Sequence, residues 1–362
     1  MTQIRKNFGS DNVGPADPEV MQAVLAANAG VTGSYGADPW TARLETQLNE
    51  LFETETEIFP VSTGTAANAL ALSALVPPFG SVYCDYVAHI MNDEGGAPEF
   101  FTGGAKLLTL PSPDGRIDPQ ALTAAIARRR VTGVHQSPAA ALSLTQSTEW
   151  GTSYTASHVA ALAEVAHAHG MHVHMDGARF GNAVAHLGCS PAAITWRAGV
   201  DVLSFGATKN GALAAEAVVF FRRDLADNFA RRRKRAGHLF SKQRFLSAQL
   251  VAYIEDGRWR RNAAAANAAA QHLGRGLADV PGVALAQNVE ANEVFALMPE
   301  RLIAGLEGAG YVFYRWATRD AASTDGGASS IVRLVCAFDT TDTDVAALLD
   351  VARAQAARAP HT

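Results

Sequence analysis

The sequence predicts an α/β protein: a large domain built on a mainly parallel central sheet, followed by a smaller C-terminal α+β domain. Three observations lead there. Two apolar runs, His172-Val-His-Met-Asp-Gly-Ala-Arg179 and Asp201-Val-Leu-Ser-Phe205, read as strands that end in polar turns, and the stretch between them, 189–198, has a helical pattern with Pro191 suited to a first turn. Strand, helix, strand is a right-handed crossover, so both strand ends emerge on one edge of a parallel sheet. Finally, composition shifts near Gly257, and the order of helices and short strands after it reads as a separate, smaller α+β unit. The expected organisation is an N-terminal segment, 1–40, that contributes to the site, a large domain, 41–250, and a small domain, 251–362. A chain of 362 residues with 48% hydrophobic content is long enough for both cores.

Taken in order, residues up to 39 are rich in Gly, Asn and Asp and hold one helical pattern, 18–28. Ser10-Asp-Asn12 and Tyr35-Gly36 put polar groups on loops, where function concentrates, although Asp11 or Asp17 also reads as an ordinary helix cap. Leu44, Leu48, Leu51 and Phe52 recur at helical spacing over 40–52. A strand over 57–61 leads into Ser62-Thr-Gly-Thr-Ala-Ala-Asn68 and an apolar helix, 69–75. The strand 81–86 precedes a loop and helix carrying His89 and Glu94. A short strand, 106–110, a turn at Asp114-Gly115 and a helix over 118–129 follow. Strand 139–145 ends in the polar cluster Thr145-Gln-Ser-Thr-Glu-Trp-Gly151, and helix 154–168 leads to the central strand. Beyond Lys209 come a strand, 214–221, and a basic helix, 224–239. The last part alternates an alanine-rich helix, strands at 283–286, 293–298, 311–315 and 330–336, and helices at 300–309 and 342–357. Residues 320–330 read as a Gly/Ser/Asp loop.

Bulk properties narrow the function classes. A net charge of −5 implies no polyanion partner, and Arg231-Arg-Arg-Lys-Arg235 reads as a solvated helix face or subunit contact rather than a nucleic-acid site. Cys84, Cys189 and Cys336 are scattered and odd in number, which suits thiols in a reducing compartment. With no long apolar span, a cytoplasmic protein without membrane contact is expected. His167, His169, His172 and His174 invite a metal, but the first two are spaced i, i+2 around a helix end, and no cysteine or second acid completes a set. No metal is expected.

The candidate chemistry collects at the strand ends. Ligands of open α/β sheets bind outside that edge. Asp176 and Lys209 both belong there, and this pair suits pyridoxal phosphate: the amine forms a Schiff base and the carboxylate keeps the ring nitrogen protonated. Thr63, Gly64 and Thr65 at a helix start offer hydroxyls, N–H groups and a positive dipole end to a phosphate; read alone, the threonines are also plain caps. His89 can stack on a flat ring or move a proton, or simply pack. Glu94 is a helix-start acid or a proton-handling group. Arg333 lies inside the apolar run Ile-Val-Arg-Leu-Val and needs a partner, either a substrate carboxylate or a structural ion pair.

The chain also resembles a known family. Tyr35-Gly-Ala-Asp38, Gly64-Thr-Ala-Ala with Asn68, Gly95-Gly-Ala-Pro-Glu-Phe-Phe101, His174-Met-Asp-Gly-Ala-Arg-Phe180, Ile194-Thr-Trp-Arg-Ala-Gly199 and Thr208-Lys-Asn-Gly211 are similar to the low-specificity L-threonine aldolases, which are fold type I, aspartate-aminotransferase-like pyridoxal phosphate enzymes. The resemblance covers nearly the whole length. It implies Lys209 as the cofactor-bearing lysine, Asp176 on the pyridine nitrogen, Arg179 near the ring hydroxyl and the substrate carboxylate, and Thr63, Gly64 and Thr65 on the phosphate. It implies His89 stacked on the ring and a candidate base, with Glu94 and a bound water as the other candidates. Ser10 and Arg333 are implied for the substrate carboxylate, and Arg244 (or Lys242) and Tyr35 as contributions from a neighbouring subunit of a homodimer or homotetramer. The implied reaction is reversible cleavage of a β-hydroxy-α-amino acid such as threonine, allo-threonine or phenylserine to glycine and an aldehyde, with β-elimination or racemisation as the alternative. One departure stands out: many members carry Glu-Asn-Thr-His where this chain has Thr145-Gln-Ser-Thr148, so no imidazole is present at that position.

Overall fold

The structure, a computed structural model, describes residues 6–129, 133–316 and 329–357. Seven strands form the large sheet: β1 (Glu57–Val61), β2 (Ser81–Asp85), β3 (Lys106–Leu110), β4 (Ala139–Thr145), β5 (His172–Gly177), β6 (Val202–Gly206) and β7 (Glu216–Phe220), in the order β1-β7-β6-β5-β4-β2-β3. From β3 to β6 the pairs are parallel, and β7 runs antiparallel to both β6 and β1. Pro60, which has no N–H to give a ladder, is accommodated because β1 is an edge strand. Strands β2, β6 and β7 are buried along their whole length, as expected where helices cover both faces. Phe52, at the end of the helix Pro39–Phe52, meets Phe180 and Phe205 with ring centroids 6.1 and 6.0 Å apart, which ties that helix to the strand ends of β5 and β6.

The smaller sheet is antiparallel: β8 (Ala284–Leu285), β9 (Glu293–Pro299), β10 (Tyr314–Arg315) and β11 (Ser329–Val335), in the order β10-β11-β9-β8. The helices Arg258–Ala278, Glu300–Gly308 and Asp342–Ala357 share a core with it, in which Leu273, Leu277, Ile303 and Leu348 pack against Val294, Met298 and Leu334. Gly276 permits the closest helix contact, since a Cβ there would lie 2.2 Å from Leu349 Cδ1. The N-terminal segment is stitched to this sheet: Phe8 N–H donates to Val312 O (2.8 Å), and Val335 N–H donates to Phe8 O (2.7 Å). Residues 10–12 are thereby held against the large domain. Among the described residues no helix is long and apolar enough to cross a membrane.

Several local expectations are corrected. The crossover helix between β5 and β6 is Phe180–Leu187, not 189–198. Phe180, Ala183 and Val184 bury one face of it, and Gly188 at φ 63° stops it; residues 189–198 form turns that close in the 3₁₀ segment Trp196–Ala198. The helix Arg244–Ile254 was not read at all, because residues 246–254 are all buried and show no polar face to set a period. The basic helix is only Phe229–Arg235, and its Arg233 turns inward, donating to Pro60 O (3.1 Å) beneath four exposed basic neighbours. Most of the expected loop at 320–330 lies outside the described residues. The histidines also have other work. His174 is fully buried between Ser143 Oγ (2.9 Å from Nδ1) and Ser204 Oγ (3.0 Å from Nε2), and burial pushes its pKa down to about 4. His167 Nε2 lies 3.1 Å from Asp201.

Candidate active site

The ends of β1, β2, β4, β5 and β6 open on one cavity of about 690 Å³. Ser10, Thr63, Gly64, Thr65, His89, Glu94, Asp176, Arg179, Lys209 and Arg333 all line it. Residues from 10 to 333 in sequence therefore meet in a single concave site of the size that holds a small cofactor and substrate.

At its floor, Asp176 sits in register between Thr145 of β4 and Ser204 of β6. Its Oδ1 accepts from Ala178 N–H (2.9 Å) and its Oδ2 from Asn68 Nδ2 (2.8 Å). Asn68 gives its other hydrogen to Glu94 Oε1 (2.8 Å), and the same oxygen is 2.9 Å from His89 Nδ1. A hydrogen-bonded chain thus runs Asp176–Asn68–Glu94–His89. Since Glu94 Oε1 is the acceptor, Nδ1 of His89 is the donor and Nε2 is left open. The Glu94 hydrogen bond holds the His89 pKa above its ordinary value, while burial and then the Asp176 charge push that of Glu94 up against the pull of His89 and Asn68.

The anion end is a helix start. Thr63 caps the helix Gly64–Leu75 by accepting from Ala66 N–H (3.1 Å), so it is a cap and a cavity residue at once. A Cβ on Gly64 would meet nothing within 4 Å, which leaves open space above the first helical turn. Lys209 rides on the 3₁₀ turn Thr208–Asn210, where β6 turns back into β7. Glu216 closes that hairpin by accepting from Ala207 N–H (2.7 Å), and burial pushes its pKa up to about 7 despite the bonds and the Lys209 charge that lower it. Lys209 itself makes no hydrogen bond or ion pair among the described residues.

Two arginines form the third wall. Arg179 grips Asp11 with two donors, Nε to Oδ2 (2.9 Å) and Nη2 to Oδ1 (3.1 Å). Burial would raise the Asp11 carboxyl, but Arg179 and Lys209 hold it below its ordinary value. Arg333 donates from Nη2 to Gly9 O (3.3 Å), lies over the Trp316 ring at 5.0 Å, and keeps a buried Nε without a partner. Between the two guanidinium groups sits Glu293 at the start of β9, fully enclosed, 3.5 Å from Arg179 and 3.7 Å from Arg333.

Sequence reasoning did not give roles to Asn68, Asp11, Glu149, Glu216 or Glu293. Asn68 belonged to a quoted motif and Asp11 to a polar loop, so both carried some signal; Glu293 heads an apolar strand and carried none. Thr148 is buried and bonded to Thr152 Oγ1 (2.8 Å), whereas its neighbours Ser147 and Glu149 line the cavity. Tyr35 and Arg244 are not brought in. Tyr35 is half exposed at φ 57° beneath Lys234, and Arg244 reaches Gly30 O (3.3 Å).

Comparison with known proteins agrees with this site. The model of the beta-eliminating lyase family matches residues 7–301. A low specificity L-threonine aldolase from Pseudomonas sp. (strain NCIMB 10558) is 44% identical over 345 residues, 95% of this chain and 96% of the relative. Its counterpart from Pseudomonas aeruginosa is also 44% identical, over 98% of both chains. A solved threonine aldolase from Leishmania major superposes with a TM-score of 0.88 at 25% identity, covering 97% of this chain and 99% of that one. On a family match spanning most of the chain and near-full-length identity of this order, the protein belongs to the beta-eliminating lyase family, among the low-specificity L-threonine aldolases.

Proposed function

We propose that the protein is a pyridoxal 5'-phosphate-dependent aldehyde-lyase that cleaves L-β-hydroxy-α-amino acids, threonine foremost, reversibly to glycine and an aldehyde. The observation that carries the reading is the convergence of a lysine free of partners, a buried carboxylate and an open helix N-terminus on one sheet edge. The donor set fits the cofactor. Thr63, Gly64 and Thr65 suit its phosphate, Asp176 its ring nitrogen, His89 a ring face and Lys209 its aldehyde carbon. When bound, pyridoxal phosphate supplies a conjugated ring that draws electrons from a bond broken at the substrate α carbon.

The protein's own groups do the rest. Ser10, Arg179 and Arg333 hold the substrate carboxylate, which fixes the bond to be broken across the ring plane. Asp176, kept in place by Asn68 and the Ala178 amide, holds a proton on the ring nitrogen. His89 points a free Nε2 toward the substrate, and with Glu94 behind Nδ1 it moves protons between substrate and solvent; its side chain is 38% exposed. Tyr35 and Arg244, both outside this cavity, are assigned to the site of a neighbouring subunit in a homodimer or homotetramer, and the scattered thiols favour a cytoplasmic protein. Borohydride reduction of the loaded protein followed by peptide mass mapping tests the core assignment: the cofactor mass should appear on the Lys209 peptide, and its appearance on another lysine would refute it.

A further inference from the structure

We propose that Glu149 receives the proton of the substrate's side-chain hydroxyl as the Cα–Cβ bond breaks, a catalytic role that rests on the aldol reading above. Glu149 follows β4, whose last residue, Thr145, is in register with Asp176. One carboxyl oxygen is fixed: Oε1 accepts from the backbone N–H of His89 (2.7 Å) and from Thr145 Oγ1 (2.8 Å). The other, Oε2, is enclosed and has no partner among the described residues, on a residue that lines the cavity. Ser147, from the same loop, also lines the cavity with a buried, unpartnered Oγ. Enclosed polar atoms without partners are costly, and two of them on one cavity wall mark where a ligand's polar group belongs. A hydroxyl answers both: its oxygen accepts from Ser147 and its hydrogen goes to Glu149.

The remaining acids of the cavity are otherwise engaged. Asp176 has both oxygens bonded, and Glu216 closes the β6–β7 turn. Glu94 also leaves one oxygen unmet, but its charge is shared with His89. Titratable neighbours surround Glu149 on every side: Asp176 and Arg179 beyond β5, His89, Cys84 of β2 and Tyr154. Burial first, then the Asp176 charge, push its pKa up to about 7 against the His89 amide and Thr145 bonds. A base of that strength takes and releases a proton near neutral pH.

The step balances without a co-reactant. The O–H bond breaks to Glu149, its electron pair becomes the second C–O bond of the aldehyde, and the Cα–Cβ pair stays on Cα. Glycine later gains there the equivalent of the proton lost by the hydroxyl, directly or after exchange with solvent.

Glu149→Gln keeps the acceptor for His89 and Thr145 and removes the base. In the loaded enzyme it should lower kcat/KM for L-threonine by about 10²- to 10⁴-fold, while the Kd of glycine, which has no hydroxyl, stays within about twofold of the parent. A readout independent of turnover is the side-chain carboxyl ¹³C resonance that Glu149→Gln deletes, which should titrate near pH 7 in the resting enzyme. Retention of more than about a tenth of kcat/KM, loss of glycine binding in step with rate, or a resonance that titrates like an exposed glutamate would each overturn the assignment. If the parent makes no glycine from threonine, the aldol reading itself falls; if it does and the variant matches it, only Glu149 is wrong.

Discussion

Arg333→Ala separates the two partners that the sequence left open for this arginine. In the structure the guanidinium is only loosely paired: Glu293 is 3.7 Å away, Gly9 O is 3.3 Å away, and the buried Nε has no partner. Two of its donors are thus unsatisfied or weakly engaged while the group is held over Trp316. A charge-assisted contact to a substrate carboxylate contributes about 1.5–3 kcal/mol per bond, and Arg179 stays behind to share the anion, so we assign the loss about 2–4 kcal/mol. That corresponds to a KM for L-threonine raised by about 30- to 1,000-fold. Stability should fall by less than about 2 kcal/mol, because only the ring contact and a long ion pair are lost and Glu293 keeps Arg179 at 3.5 Å. The assay is steady-state glycine formation beside a urea melt, with Arg333→Lys as an intermediate case, since lysine restores charge without the planar fork. An unchanged KM together with a stability loss above about 3 kcal/mol would refute the reasoning and make Arg333 a structural partner of Glu293.

Other expectations follow from the same geometry. Glu94→Gln should lower the His89 pKa toward 6.5, because the Glu94 bond is the largest cause of its elevation; an NMR titration of the His89 ring that does not move would contradict the chain described. That elevated value means His89 stabilises the fold most below pH 6.5 and loses this contribution as pH rises through the folded value. His174 has the opposite sign: its folded value of about 4 lies under the ordinary 6.5, so its contribution, about 3 kcal/mol, is present above pH 6.5 and is lost as pH falls toward 4. His174→Gln should flatten that part of the stability-against-pH curve, and an unchanged slope would refute it. Asn68→Ala should destabilise the protein by several kcal/mol, because one side chain satisfies two enclosed carboxylates, at 2.8 Å each; a melt within about 1 kcal/mol of the parent would contradict this. Lys209→Ala should abolish turnover and leave the melt nearly unchanged, since nothing in the fold holds its amine.

The legible part of this protein was its strand ends. Apolar runs stopped by Asp176, Thr145 and the turn to Lys209 announce themselves, because a buried strand must end where polarity begins. What failed was local: Arg244–Ile254 is buried all round and has no amphipathic period, and the crossover helix was misplaced because residues 189–198 carry a helical pattern and a proline that turns use equally well. The site was half legible. Lysine, acid and phosphate-loop threonines lie at predictable places, but Glu293 and Glu149 act through approaches across the fold, Glu293 between Arg179 and Arg333 and Glu149 against the amide of His89. No sequence period encodes such a meeting.

The central claim is the bond that breaks, and product analysis tests it most directly. Purified protein loaded with pyridoxal phosphate is given L-threonine, and glycine, acetaldehyde, keto acid and ammonia are measured together. Glycine and acetaldehyde in equal amounts are the predicted result; keto acid and ammonia without glycine would contradict the account and make the enzyme a β-eliminating lyase on the same scaffold.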